Sequence, residues 1–162
     1  MKEIPAREIM TAPAICVKGT APLKDVAQVL DKHLFSGLPV VDDNEKVVGV
    51  ISEKDLRKYT RWVIGHPMKD PAKLIDDDQE AASVGGQRTF DLIESVRSVT
   101  AHVVMSDRAI TVSEDDSVWE IIRLINKHNI NRVPVVDPEG RLTGIVARAD
   151  ILKVIEEQAD KA

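Results

Sequence analysis

Apolar and polar positions along this chain alternate between two spacings. Ala14-Ile-Cys-Val is a short β-prone run. Thr20 and Pro22 then mark a helix start, with proline near the first helical position. Leu23, Val26, Ala27, Leu30 and Leu34 follow at helical spacing and predict one apolar stripe. Leu38-Pro-Val-Val predicts a strand with proline at its beginning, where a missing N–H costs least. Asp42-Asp-Asn-Glu reads as a tight turn, and Val47-Val-Gly-Val-Ile as the returning strand of a hairpin. Ser52 opens a second helix carrying Leu56 and Tyr59.

The same order then returns. Ala109-Ile-Thr-Val is a strand, and Val118, Ile121, Ile122 and Ile125 form a helix stripe. Val133-Pro-Val-Val, the turn Asp137-Pro-Glu-Gly140 and Leu142-Thr-Gly-Ile-Val make a hairpin. A helix from about Arg148 to Glu157 carries Ile151, Leu152 and Ile155. The two copies align at an offset of 95 residues, without a gap from Ile9 to Leu56. Met10/Met105, His33/His128, Pro39/Pro134, Asp42/Asp137, Gly49/Gly144 and Asp55/Asp150 are identical pairs.

The predicted fold is therefore α/β (α+β): two β-α-β-β-α repeats packed with pseudo-twofold symmetry. Repeat 1 covers 1–60 and repeat 2 covers 99–157, with a frayed tail at 158–162. Between them, 61–98 is read as a linker, partly helical and mobile. Gly65-His-Pro and Asp70-Pro break helices there, Ser83-Val-Gly-Gly is a joint, and Thr89 to Val99 has helical periodicity. A repeat of about sixty residues is marginal alone, so the copies are expected to share a buried interface. A pseudo-twofold axis would place a cleft between them, and such clefts are preferred places for small ligands.

Composition narrows the function classes. The net charge of −5 argues against nucleic acid as the main partner, because phosphate-binding proteins usually carry a basic face. Aromatic residues are 3%, which disfavours a base-stacking surface. A single cysteine, Cys16, excludes an intrachain disulfide and fits a cytoplasmic setting. No window approaches about 20 apolar residues, so no membrane span or signal peptide is expected. The histidines show no metal-ligand spacing, and no metal site is predicted. No nucleophile–base order, Walker loop or Gly-x-Gly-x-x-Gly occurs. No catalytic residue and no enzyme activity are expected.

The sharpest chemistry lies in Gly49-Val-Ile-Ser52-Glu-Lys-Asp55. A strand ending in serine, with a helix starting there, makes a ready anion site. Ser52 could donate to a phosphate or ribose oxygen, and Asp55 could accept from vicinal hydroxyls. Against this, Ser-x-x-Asp resembles a capping box, which needs no ligand. In the second copy the motif is Gly144-Ile-Val-Ala147-Arg-Ala-Asp150. The hydroxyl is gone, so a capping box is not expected to explain why the aspartate recurs. Arg132, just before a strand, is a candidate phosphate partner through its planar fork, and its counterpart is Gly37. Arg108 and Arg148 are weaker candidates. His33 and His128 suit helix C-termini, Cys16 suits a core, and Trp62 and Trp119 are expected to cover apolar surface.

At these residues the chain resembles a tandem pair of CBS domains (cystathionine-β-synthase domains), the Bateman module. The resemblance covers about Ile4 to Tyr59 and Val99 to Glu157. It rests on Ile9-Met-Thr, on His33-Leu-Phe-Ser-Gly-Leu-Pro-Val-Val-Asp42 and His128-Asn-Ile-Asn-Arg-Val-Pro-Val-Val-Asp137, and on the two Gly…Asp motifs. It implies a regulatory module that binds an adenosine-containing ligand, such as AMP, ADP, ATP or S-adenosylmethionine. The implied first site comprises Ser52, Asp55, Met105, Ile110, Arg132 and Val133. The implied second site comprises Asp150, Met10, Ile15, Gly37 and Leu38, and Ala147 departs from the family pattern there. The resemblance also implies a homodimer and an effector protein as partner. The alternative is a ligand-free dimerisation or protein-interaction module.

Overall fold

The structure, a computed structural model, describes residues 4–65 and 99–159. The expected helix leading into Val99, the linker breaks, His66 and the end of the tail lie outside them, and the side chain of Trp62 is not described. In chain order the elements are α1 (Ala6–Ile9), β1 (Val17–Lys18), α2 (Leu23–His33), β2 (Gly37–Val41), β3 (Val47–Ser52) and α3 (Glu53–Gly65). The second set is α4 (Ala101–Val104), β4 (Val112–Ser113), α5 (Val118–His128), β5 (Arg132–Val136), β6 (Leu142–Ala147) and α6 (Arg148–Ala159). They form a mixed α/β fold with two three-stranded sheets, ordered β1-β2-β3 and β4-β5-β6.

The chain separates into two compact units that do not follow the copy boundaries. Unit 1 consists of Met1–Ile15, Val41–Val47 and Ala109–Ala162; unit 2 consists of Cys16–Val40 and Val48–Arg108. The opening segment is therefore seated on the second sheet. Ala6 N–H donates to Asp116 O at 2.8 Å, Val118 N–H to Ile4 O at 2.8 Å, and Thr11 N–H to Ile145 O at 2.9 Å. Arg7 pairs with Asp115. Residues just before the second copy do the same for the first sheet. Ala101 N–H donates to Ala21 O at 2.8 Å, His102 N–H to Gly19 O at 2.9 Å, and Ser106 N–H to Val50 O at 2.9 Å.

Each unit has its own apolar core. In unit 2, Leu23, Val26, Ala27 and Leu30 of α2 pack with Leu38, Val40, Ile51, Leu56, Tyr59, Ala101 and Met105. In unit 1, Val118, Ile121 and Ile125 of α5 pack with Ala6, Val112, Val133, Val135, Val146 and Ile151. Burial of such side chains contributes roughly 1.5–3 kcal/mol each.

The structure corrects several boundaries. The α2 stripe ends at Leu30: Leu34 is the helix C-cap at φ 52° and is 88% exposed, because a left-handed cap turns the chain away from the packed face. The first strand of each copy begins later than expected, at Val17 and Val112. Pro39 and Pro134 sit inside β2 and β5 rather than at their starts. Pro134 is tolerated because β4 pairs with β5 only at Val135 and Val136, leaving the proline nitrogen outside that ladder. Trp119 is 42% exposed, and Leu152 and Ile155 stand more than 45% open.

The hairpin turns follow the expected chemistry. Asp42 Oδ1 accepts from the N–H of Asn44 at 2.8 Å and of Lys46 at 2.9 Å. Asp137 Oδ1 does the same for Glu139 and Arg141. Both are side-chain mimics of a backbone turn.

Candidate functional site

In each unit a strand runs directly into a helix, and the junction forms a corner held by an aspartate. In unit 2, β3 ends at Ser52 and α3 begins at Glu53. Asp55 Oδ2 accepts from Ser52 N–H at 2.8 Å and from Ser52 Oγ–H at 2.5 Å, and Ser52 Oγ accepts from Asp55 N–H at 3.3 Å. This is a reciprocal capping box. In unit 1, β6 ends at Ala147, and Asp150 Oδ2 accepts from Ala147 N–H at 2.8 Å. The capping role survives the loss of the hydroxyl, which corrects the expectation that capping could not explain the recurring aspartate. The carboxylate needs only a backbone N–H, which alanine supplies as well as serine.

The hydrogen bonds that Asp55 and Asp150 accept from described residues all fall on Oδ2. Oδ1 of each half-buried carboxylate is left for another donor. A carboxylate pinned through one oxygen and open at the other is suited to accept from hydroxyls.

The remaining candidates fall into one unit or the other. Gly37 lies against Ser52: a Cβ there would stand 3.4 Å from Ser52 Cβ and 3.2 Å from Ile51 O. Met105 rests on Gly49, where an added Cβ would stand 2.5 Å from its Sδ. Thus Gly37, Ser52, Asp55 and Met105 belong to unit 2. Met10 rests on Gly144 in the same manner in unit 1. Arg132 stands across the sheet from Ala147 in the β5–β6 register. Burial lowers its pKa, and the Asp150 charge partly offsets this. Met10, Arg132, Ala147 and Asp150 therefore belong to unit 1.

Leu38 and Val133, expected to line the sites, are 1% and 0% exposed. Their side chains are enclosed by the two cores, which leaves only backbone groups to a ligand. Ile110 is half-buried, whereas Ile15 is exposed. His33 closes α2 and stacks on Phe35, with ring centroids 5.3 Å apart. Cys16 is half-buried and precedes β1 rather than lying in it. Among the described residues, no group of three or more His, Cys, Asp or Glu could hold a metal ion, and no helix is long and apolar enough to cross a membrane.

One contrast was missed in the residue-by-residue reading. Glu53, just inside α3, has Arg148 as its counterpart at the start of α6. Aligning the copies by charge rather than by identity brings it out.

Comparison with known proteins agrees with this architecture. An uncharacterised protein of Methanocaldococcus jannaschii is 30% identical over 155 residues, 92% of this chain and 89% of that protein. Three other curated relatives are longer, and the chain spans only 22%, 38% and 56% of them. The crystal structure of the CBS domain of a CBS domain containing membrane protein from Sphaerobacter thermophilus is similar with a TM-score of 0.66 and 31% identity. That match covers 93% of this chain and 87% of the other. The CBS domain pair of protein MJ0100, in complex with 5′-methylthioadenosine and S-adenosyl-L-methionine, is similar with a TM-score of 0.65 and 25% identity. Here 94% of this chain and 99% of the other are covered. The CBS domain family matches residues 6–61 and 96–157. With two copies of that domain accounting for most of its length, the chain belongs to the CBS domain family as a tandem pair.

Proposed function

We propose that this chain is a regulatory module that senses an adenosine-containing small molecule, an adenine nucleotide or S-adenosylmethionine. One observation carries the reading. Each unit presents a half-buried aspartate fixed through Oδ2 by the backbone at a strand–helix corner, with Oδ1 left over. Such a group is oriented before any ligand arrives and can accept from the vicinal hydroxyls of a ribose. The family membership and the adenosine compounds bound by the similar domain pair support the same class of ligand. Ser52, Asp55 and Met105 are the residues we assign to one ligand, and Met10 and Asp150 to another; Arg132, first expected beside Asp55, stands opposite Ala147 and is assigned with Asp150 instead. A ligand acts as a regulator only through its differential affinity for two states of the module and its effector partner.

Thermal unfolding and titration calorimetry with adenosine, AMP, ADP, ATP and S-adenosylmethionine test this. A true ligand raises stability by about 2.7 kcal/mol at 100 times its dissociation constant. Asp55→Ala or Asp150→Ala weakens that response. Silence towards every compound in the panel sinks the proposal.

A second reading, self-association, has its own support. Trp119, Leu152 and Ile155 leave apolar surface open on α5 and α6. Analytical ultracentrifugation would show a dimer that Leu152→Asp and Ile155→Asp dissociate; a monomer at high concentration argues against it.

A further inference from the structure

Two methionines occupy matching seats on glycine, but they are not equally enclosed. In unit 2, Met105 is 9% exposed and is a member of the apolar core. Its Sδ crowds Gly49 together with the Ser106 carbonyl oxygen. In unit 1, Met10 is half-buried and packs against the core from its margin. The three atoms nearest the position of a Gly144 Cβ are all its own: Cβ at 3.2 Å, Cγ at 2.8 Å, and Sδ nearer still. The thioether therefore lies along the glycine backbone. Thr11, the next residue, exchanges both backbone hydrogen bonds with Ile145, the residue after Gly144. Thr11 N–H donates to Ile145 O at 2.9 Å, and Ile145 N–H donates to Thr11 O at 3.1 Å. In the order β4-β5-β6, strand β6 is the outer one, and this pair covers its edge at Ile145. An uncovered edge presents unpaired N–H and C=O groups.

We infer that Met10 is a sulfoxidation site, through which peroxide loosens the cover on β6. The Sδ lone pair attacks one peroxide oxygen, the O–O bond breaks, and water leaves. Sulfur gives up two electrons to the peroxide and keeps one oxygen atom. A flexible apolar side chain becomes a larger and more polar one. The new oxygen is an acceptor that is costly to enclose without a donor. The glycine side of the seat has no space for a further atom. The oxidised side chain turns out to water, and the Thr11–Ile145 pair loses the anchor beside it. Met105 carries the same sulfur chemistry, but the core encloses it, so peroxide reaches it only when unit 2 opens.

The experiment uses the full folded chain and hydrogen peroxide, with no ligand present. Met10 lies between Arg7 and Lys18, and Met105 between Arg97 and Arg108, so tryptic mass mapping follows them separately. Met10 should oxidise about tenfold faster than Met105 in the folded chain, and at the same rate in urea. After oxidation, amide exchange at Thr11 and Ile145 should quicken about fivefold or more, while Val50 and Ser106, the matching pair in unit 2, keep their protection. Methionine sulfoxide reductase should restore the original exchange. Met10→Leu should make the Thr11 and Ile145 amides indifferent to peroxide. If that substitution lowers the melting temperature, the reductase reversal in the unsubstituted chain decides instead. Oxidation of Met105 as fast as Met10 overturns the inference. So does a Met10 sulfoxide that leaves Thr11 and Ile145 protected, or a loss of protection that Val50 and Ser106 share.

Discussion

Units 1 and 2 solve one folding problem with different side chains. Both seat the methionine that caps a short helix onto a glycine in the last strand, and both then hold an aspartate at the next corner. Unit 2 completes that corner with a serine hydroxyl and a glycine across the sheet. Unit 1 keeps only the backbone N–H and sets an arginine across the sheet. Features retained in both units are those the fold needs for itself. Features that differ are free of that duty, and they are where ligand selectivity can be written.

The glycine notch gives the largest expected effect. A Cβ at Gly49 would meet both Met105 Sδ at 2.5 Å and the Ser106 carbonyl oxygen at 2.6 Å. The three atoms nearest a Cβ at Gly144 all belong to the Met10 side chain, with Cγ at 2.8 Å. The flexible side chain can yield, whereas a carbonyl oxygen in a bridge cannot. Gly49→Ala should cost about 3 kcal/mol and Gly144→Ala about 1 kcal/mol in urea unfolding. Combining Gly144→Ala with Met10→Ala should cost less than the sum of the two, while Met105→Ala should recover little for Gly49→Ala. Equal costs for the two glycine substitutions would remove the distinction between the units.

The ends of the two long helices give a smaller contrast. Leu34 and Asn129 occupy the same C-cap position at φ 52° and φ 50°. Asparagine tolerates that conformation, whereas leucine pays a steric cost of about 1–2 kcal/mol and here is 88% exposed. Leu34→Asn should stabilise the chain by roughly 0.5–1 kcal/mol, and Asn129→Leu should do the reverse. Thermal midpoints at fixed concentration would show the two changes with opposite signs.

Most of the architecture could be read from the pattern of residues, because helix stripes and turn-forming aspartates act locally. The stripe of α5 and the Asp42 and Asp137 turns stand where spacing places them. Leu34 did not follow its stripe, since periodicity cannot register a left-handed cap. Asp55 and Asp150 could be singled out by their recurrence, yet the reason for it could not. A backbone N–H is present at every residue but proline, so Ala147 gave no signal that it would serve as Asp150's partner. The seating of residues 4–11 on the second sheet was equally hidden, because it depends on pairing across more than a hundred residues.

The hairpin turns supply the smallest expected effect. Burial pushes the Asp137 carboxyl upward, but hydrogen bonds from Arg141 N–H, from the Arg141 side chain at 2.7 Å and from Glu139 N–H outweigh it and hold the pKa below the ordinary value. The folded pKa is thus lower than the unfolded one, near 3.9. The contribution is complete above that unfolded value and is lost as pH falls through the folded one. Asp137→Asn should lower stability slightly at pH 7, leave it little changed below the folded pKa, and so flatten the acid limb below about pH 4. An unaltered acid limb would assign that sensitivity elsewhere.

The ownership of Met1–Ile15 by unit 1 has a consequence for how the chain comes into being. During synthesis residues 4–11 emerge well before their berth on Val118, Asp116 and Ile145, which is translated more than a hundred residues later. Residues 4–11 must wait for that partner segment before they can settle, so unit 1 closes only after the chain as far as Ile145 has left the exit tunnel.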